Sequence, residues 1–224
     1  MNYTFDYGWL IPYAPMLLEG VLVTIILSLA GTVGGIALGL TCAWTLTSGP
    51  QRLRLPVTLY VEVIRNTPFL IQLFFIFFGL PALDLRVSAF TAAVVTMILN
   101  VGAYSCEIVR AGIQATPRGH IEAGTSLAMS PFQVFRYVIL LPALERVWPA
   151  LSSQFIIVML GTAVVSQIAV RDITFVASFI QSRNFRSFET FFVSLFIYLA
   201  LAAVMRLLLN LLGRKMFPRR YARD

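Results

Sequence analysis

Two pairs of opposite charge stand in apolar surroundings at helical spacing, Glu62 with Arg65 and Glu107 with Arg110. A carboxylate three residues before a guanidinium shares its helix face and can pair with it. If these stretches cross a bilayer, each unpaired charge near its centre costs about 2.5 to 3.5 kcal/mol on insertion scales. Pairing and snorkelling near a helix end offset that cost, so both pairs read as structural ion pairs. Glu107 is also the best acidic candidate for meeting an amino group, but its neighbouring arginine favours the structural role. Seven uncharged polar residues inside apolar stretches, Thr67, Gln72, Asn100, Gln154, Thr162, Ser166 and Gln167, are candidates for contacting a polar solute. The same side chains can instead be interhelical hydrogen-bonding glue.

Other chemistry is missing. A phosphate-binding loop needs a glycine-rich turn ending in Lys and Ser/Thr, and the single lysine, Lys215, lies in a basic tail. His120 has no ligand partners at metal-binding spacing and reads as a solvated or interface histidine. Cys42 and Cys106 lie inside apolar stretches without metal-ligand spacing and read as packing residues. No nucleophile, base and orienting group occur together, so the chain does not read as an enzyme.

The elements that position these residues follow from composition. With 58% hydrophobic and 12% charged residues in 224, the chain cannot surround its apolar side chains with a polar shell and needs lipid as solvent. A helix spans the hydrocarbon layer with about 20 mostly apolar residues. Five stretches qualify, over about 16–46, 55–81, 87–109, 148–170 and 190–212, giving one all-α membrane domain over 1–224. The net charge of +7 does not indicate nucleic acid, because its placement follows the spans. Arg52, Arg54, Arg110, Arg118, Arg136 and Arg146 fall between spans one and two or three and four, and Arg206, Arg214, Lys215, Arg219, Arg220 and Arg223 close the chain. Those segments are expected in the cytoplasm, with the N-terminus outside. The first span lacks a basic start and is expected to stay in the mature protein.

Span one carries Gly31, Gly34, Gly35 and Gly39, a stripe that lets another helix approach closely, and Thr47-Ser48-Gly49-Pro50 ends it. The connection over about 111–147 holds two short helices. One covers Ile121 to Met129. The other starts at Ser130-Pro131-Phe132-Gln133, a serine cap with proline at the first position and glutamine at the third, and runs to about Leu140. Phe132, Phe135 and Ile139 are expected on its apolar face, and Pro142 is expected to stop the pair. The helices either dock on the bundle or are offered to a partner.

Here the sequence resembles a known family. Glu122-Ala123-Gly124-Thr125-Ser126-Leu127-Ala128-Met129-Ser130-Pro131, continuing to Ile139-Leu140-Leu141-Pro142, is similar to the E-A-A loop of bacterial ABC importer permeases. Gly124 replaces the second alanine and Ala128 the usual glycine, whose backbone freedom is lost there. The segment from Tyr60 to Phe75, with Glu62, Arg65, Thr67, Pro68 and Gln72, resembles the E-x-x-R-x-T-P-x-x-x-Q-L-F pattern of polar amino acid permeases. Gly102-Ala103-Tyr104 to Ile113 resembles their G-A-Y-x-x-E-I-x-R-x-G-I. From Leu160 to Ser166 the family's usual lysine is absent.

The resemblance, to permeases of the histidine, glutamate, glutamine, arginine and opine type, implies a type I ABC importer transmembrane domain with about five transmembrane helices and a cytoplasmic coupling helix in the bacterial inner membrane. It implies that Glu122, Ala123, Gly124, Ala128, Met129, Ser130, Pro131 and Pro142 couple to the ATPase. It also implies a second permease copy or sister chain, a separate ATP-binding subunit that uses ATP and Mg, an extracytoplasmic binding protein and an amino acid substrate. No cofactor is expected in this chain. A self-sufficient channel or ion-coupled carrier would carry intramembrane acids away from arginine and usually internal repeats, and no repeat is apparent. A membrane scaffold without transport is the other alternative. The absence of an acid in span four disfavours a strongly cationic substrate.

Overall fold

The computed structural model describes residues 5–218, so Arg219, Arg220 and Arg223 lie outside the described residues. Those described form helices and connections only. Helix α1 (Leu10–Thr47) has 38 residues and ends at the Ser48-Gly49-Pro50 break. At 1.5 Å per residue it is about 57 Å long, well beyond the roughly 30 Å hydrocarbon layer.

The second apolar stretch is not one straight helix. It divides into α2 (Gln51–Arg65) and α3 (Phe69–Gly79), bent by 112° including the 3₁₀ turn that follows. Pro68 causes the break, since it has no N–H for the ladder and holds an extended backbone at φ −64° and ψ 140°.

Helix α4 (Ala89–Gln114) starts at a Ser88 cap, whose hydroxyl accepts the Thr91 N–H, and lies along α1. The glycine stripe is what permits this approach. A Cβ on Gly35 would stand 2.4 Å from the Val101 Cβ, and one on Gly39 would stand 2.9 Å from the Gly102 carbonyl oxygen. Cys42 on α1 and Cys106 on α4 are both buried in the core that this packed seam forms.

Helix α5 (Arg118–Ser126) begins three residues earlier than expected, directly after Pro117, whose extended backbone at φ −59° and ψ 138° stands at its cap. Ser130 then caps α6 (Pro131–Gln133) with the full capping box, its hydroxyl accepting the Gln133 N–H while Gln133 Oε1 accepts the Ser130 N–H at 2.8 Å. The helix does not end at Pro142. It continues through a π-helical stretch, Val134–Leu140, into α7 (Leu141–Gly161) and a 3₁₀ stretch, Thr162–Ile168. The widened π turn, with its i to i+5 bonding, displaces the carbonyls that the proline ring would otherwise meet. The fourth apolar helix thus starts at Pro131 and not near Trp148.

Helix α8 (Ile173–Asn184) is an element the hydropathy reading passed over, and α9 (Ser187–Met216) closes the described chain. Among the described residues four helical runs, Leu10–Thr47, Ala89–Gln114, Pro131–Ile168 and Ser187–Met216, are long and apolar enough to cross a membrane, with the α2–α3 pair as a bent fifth. Apolar side chains such as Leu18, Leu22, Phe75, Leu199 and Leu207 are more than half exposed, which water would penalise and lipid does not.

Candidate functional site

Three groups of residues around the bundle bear on function. The first is the hairpin from α5 to α6. Gly124 packs beneath it, with room for a Cβ only 3.1 Å from a Val134 methyl, and Val134, Phe135 and Ile139 are buried in the core beside Cys106, Val109 and Leu151. The opposite side is open, with Leu127 77% and Phe132 57% exposed beside exposed Glu122 and Ala123. The hairpin therefore docks on the bundle by one face and presents another. Phe132 belongs to the presented face, not with Phe135 and Ile139 as expected, because the π turn changes the angular register after Gln133. Ala128 sits at φ 55° in the left-handed region, which glycine occupies without strain. Met129 N–H donates to the Gly124 carbonyl at 3.2 Å and holds this turn closed.

The second group lies at the α2–α3 corner. Gln72 Nε2 donates to the carbonyls of Ile64 at 2.7 Å and Thr67 at 2.9 Å, groups freed by the break at Pro68, and lies 2.9 Å from Thr67 Oγ1. Its Oε1 accepts from Asn100 Nδ2 at 3.0 Å, which ties the corner to α4. Tyr60 makes a second tie, donating its hydroxyl to the Leu99 carbonyl at 2.6 Å.

Beside this corner a cavity of about 160 Å³ is lined by Asn100, Gln154, Phe69, Met97, Ile157 and Val158 among others, and none of its lining residues is charged. Of the seven candidates for solute contact, only Asn100 and Gln154 reach it. Thr67 and Gln72 are committed to the corner, Thr162 and Ser166 donate to the Met159 and Ala163 carbonyls, and Gln167 is exposed elsewhere.

The third group surrounds a larger cavity, about 740 Å³, between the ends of α1, α2 and α4 and the start of α5. Glu107 accepts from Arg110 Nε at 2.8 Å and Nη2 at 2.7 Å, as its spacing predicts. The Glu62–Arg65 pair does not form. Arg65 reaches across to Glu107 instead, with Nη1 3.4 Å from Oε2, and its guanidinium lies 5.7 Å from the Tyr104 ring centroid. A second helix offers Arg65 a carboxylate and an aromatic face together, an arrangement that spacing along one helix cannot reveal.

At the other end of the bundle the sequence reading missed two polar clusters. Asp172 is fully buried, caps α8 by accepting the Phe175 N–H at 2.9 Å, and accepts the Tyr198 hydroxyl at 3.0 Å. Burial pushes its carboxyl above the usual range, against the lowering effect of these donors. Arg186 joins Glu189, at 3.0 Å, to Asp6, at 3.5 Å. Asp172 directly before an apolar run is a helix-start signal that could have located α8.

The apolar helices of membrane-spanning length, the internal polar corner and the hairpin with one docked face and one presented face define an all-α membrane domain. The chain belongs to the family described as binding-protein-dependent transport system inner membrane component, whose model matches residues 35–218. It is 37% identical over 214 residues to the glutamine transport system permease protein GlnP of Escherichia coli K12, covering 95% of this chain and 98% of that one. It is 34% identical to the L-cystine transport system permease protein TcyB of Bacillus subtilis, over 90% of this chain and 87% of that one. Among solved structures, a chain of an amino acid ABC transporter crystallised with histidines matches with TM-score 0.85 at 36% identity, covering 95% of this chain and all of that one. An inward-facing MetNI methionine ABC transporter matches in fold, with TM-score 0.78 at 19% identity over 92% of this chain and 98% of that one. The fold is that of the type I ABC importer permeases, and the chain is a permease subunit.

Proposed function

We propose that this chain carries polar amino acids with uncharged side chains across the bacterial inner membrane, with its N-terminus outside and its C-terminus in the cytoplasm. The observation that carries this reading is the similarity to amino acid permeases over nearly the whole chain. The small cavity supports the substrate class, since Asn100 and Gln154 offer amides and no lining residue is charged. Amides can donate to and accept from a neutral polar side chain, whereas a charged one would lose hydration without a counter-ion.

In this reading ATP and Mg are used by a separate ATPase subunit, which seats on the presented face of the hairpin. Glu122, Ala123, Leu127 and Phe132 form the contact, and Gly124, Ser130 and Pro131 hold its shape. Because α6, the π stretch and α7 are continuous, a push on the hairpin moves the helix that lines the small cavity. A second permease copy or sister chain completes the pathway, and an extracytoplasmic binding protein delivers the substrate.

The test is ATP-dependent uptake of a panel of radiolabelled amino acids in proteoliposomes holding the whole transporter, with Glu122→Arg in parallel. Uptake of a neutral polar amino acid that requires the ATPase and collapses in the variant is expected. Uptake driven by an ion gradient without ATP, or normal uptake in the variant, would overturn the reading.

A further inference from the structure

Two carboxylates, Glu62 and Glu107, and four guanidiniums, Arg54, Arg65, Arg110 and Arg118, line the 740 Å³ cavity beside α5. Glu62 and Arg65 both line it and stand three residues apart on α2, the spacing at which such side chains ordinarily meet. They do not meet. Arg65 turns to Glu107, a carboxylate already held at two points by Arg110, and Glu62 has no ion-pair partner among the described residues. The Glu107 carboxylate on α4 thus serves two guanidiniums, while that of Glu62, one turn from Arg65 on α2, serves none. A carboxylate and a guanidinium kept apart in the wall of one open cavity are the complement of a small zwitterion, whose ammonium can donate to the first and whose carboxylate can accept from the second.

We propose that this cavity binds the head group of a free α-amino acid, Glu62 receiving the ammonium and Arg65 the carboxylate. The proposal rests on the reading of the chain as an amino acid permease. It concerns a site apart from the small uncharged cavity, which Asn100 and Gln154 line. Here the head group common to all α-amino acids is recognised and the side chain points into open volume, so selectivity among side chains is low. Arg118 and Ile121 of α5 form part of the wall, which puts a bound amino acid against the first turn of the hairpin.

Thr58 also lines the cavity, and Cys42 and Cys106 are buried, so a Thr58→Cys variant gives a local thiol reporter. The whole transporter, this chain with its ATPase, is placed in lipid nanodiscs without binding protein and labelled with N-ethylmaleimide. L-glutamine and L-alanine are both expected to slow labelling, by about tenfold when the ligand stands at about ten times its Kd. N-acetyl-L-glutamine, which lacks the ammonium, and L-glutaminamide, which lacks the carboxylate, are expected to give no protection. Glu62→Gln in the reporter background is expected to abolish protection by L-glutamine, and Glu62→Asp to retain it more weakly. Should Glu62→Gln fail to assemble, the two blocked ligands and Glu62→Asp decide the question.

The same complex, given binding protein and ATP in proteoliposomes, is assayed for uptake. Uptake without any protection by L-glutamine would overturn this site and leave the importer reading intact. Full protection in Glu62→Gln, or equal protection by the blocked ligands, would also overturn it. Protection without ATP-driven uptake would keep the site and overturn the importer reading.

Discussion

Replacing Gly35 by alanine tests whether the α1–α4 seam is held by close backbone approach. Helix propensity by itself favours alanine over glycine in a helix interior by about 1 kcal/mol. The seam predicts the opposite sign. The new Cβ would lie 2.4 Å from Val101 Cβ and 3.2 Å from the Gly102 nitrogen, against an ordinary contact of 3.4 Å or more. The helices must therefore separate by about 1 Å, the shortfall between those contact distances. Overpacking of this kind costs about 1 to 3 kcal/mol. Gly79→Ala is the control, because a Cβ there meets nothing within 4 Å. Gly34→Ala should fall between the two, since its Cβ meets only the Ile98 side chain, at 2.7 Å, and that side chain can turn. The assay is thermal unfolding of the purified transporter in one detergent, reading the Gly35 and Gly79 variants against each other. Gly35→Ala should be less stable than Gly79→Ala by about 1 to 3 kcal/mol. Equal stability of the two variants would refute the claim that this seam is too tight for a methyl group.

Three further outcomes are expected. Ala128→Gly should tighten the hairpin, because a non-glycine residue at positive φ costs about 1 to 2 kcal/mol, offset by the entropy that glycine adds to the unfolded chain; amide hydrogen exchange over 118–133 should slow, and faster exchange would contradict it. Gln72→Leu removes the donor that serves the Ile64 and Thr67 carbonyls and should lower stability by about 1 to 3 kcal/mol. Thermal unfolding of that variant unchanged from wild type would show that the α2–α3 corner holds without its amide. Asp172 has a folded-state pKa raised by burial, so the stability it contributes is fully present below the unfolded carboxylate range and is lost as pH rises through the folded value. Asp172→Asn, which keeps an acceptor for the Phe175 N–H, should flatten the dependence of melting temperature on pH across that window, and an unchanged slope would place the pH dependence elsewhere.

The sequence by itself determined the membrane class, the helical fold, the glycine seam, the capped start of α6 and the Glu107–Arg110 pair. Each of these rests on local periodicity or on partners within one turn, and such information is complete in the sequence. The tertiary structure decided which charges meet across helices. Arg65 has a carboxylate three residues away on its own helix, yet it pairs with Glu107 because α4 also offers it the Tyr104 ring. Pro142, a reliable stop in an ordinary α-helix, stands inside a continuous run because the π turn before it makes room, and the packing of Val134, Phe135 and Ile139 stabilises that turn. Polar residues in the spans looked alike in the sequence, whereas the fold commits Gln72 to freed carbonyls and leaves Asn100 and Gln154 facing a cavity. A hydrogen-bonding side chain takes whichever partner the packing of other helices brings within about 3 Å, and that choice is not written in its local sequence.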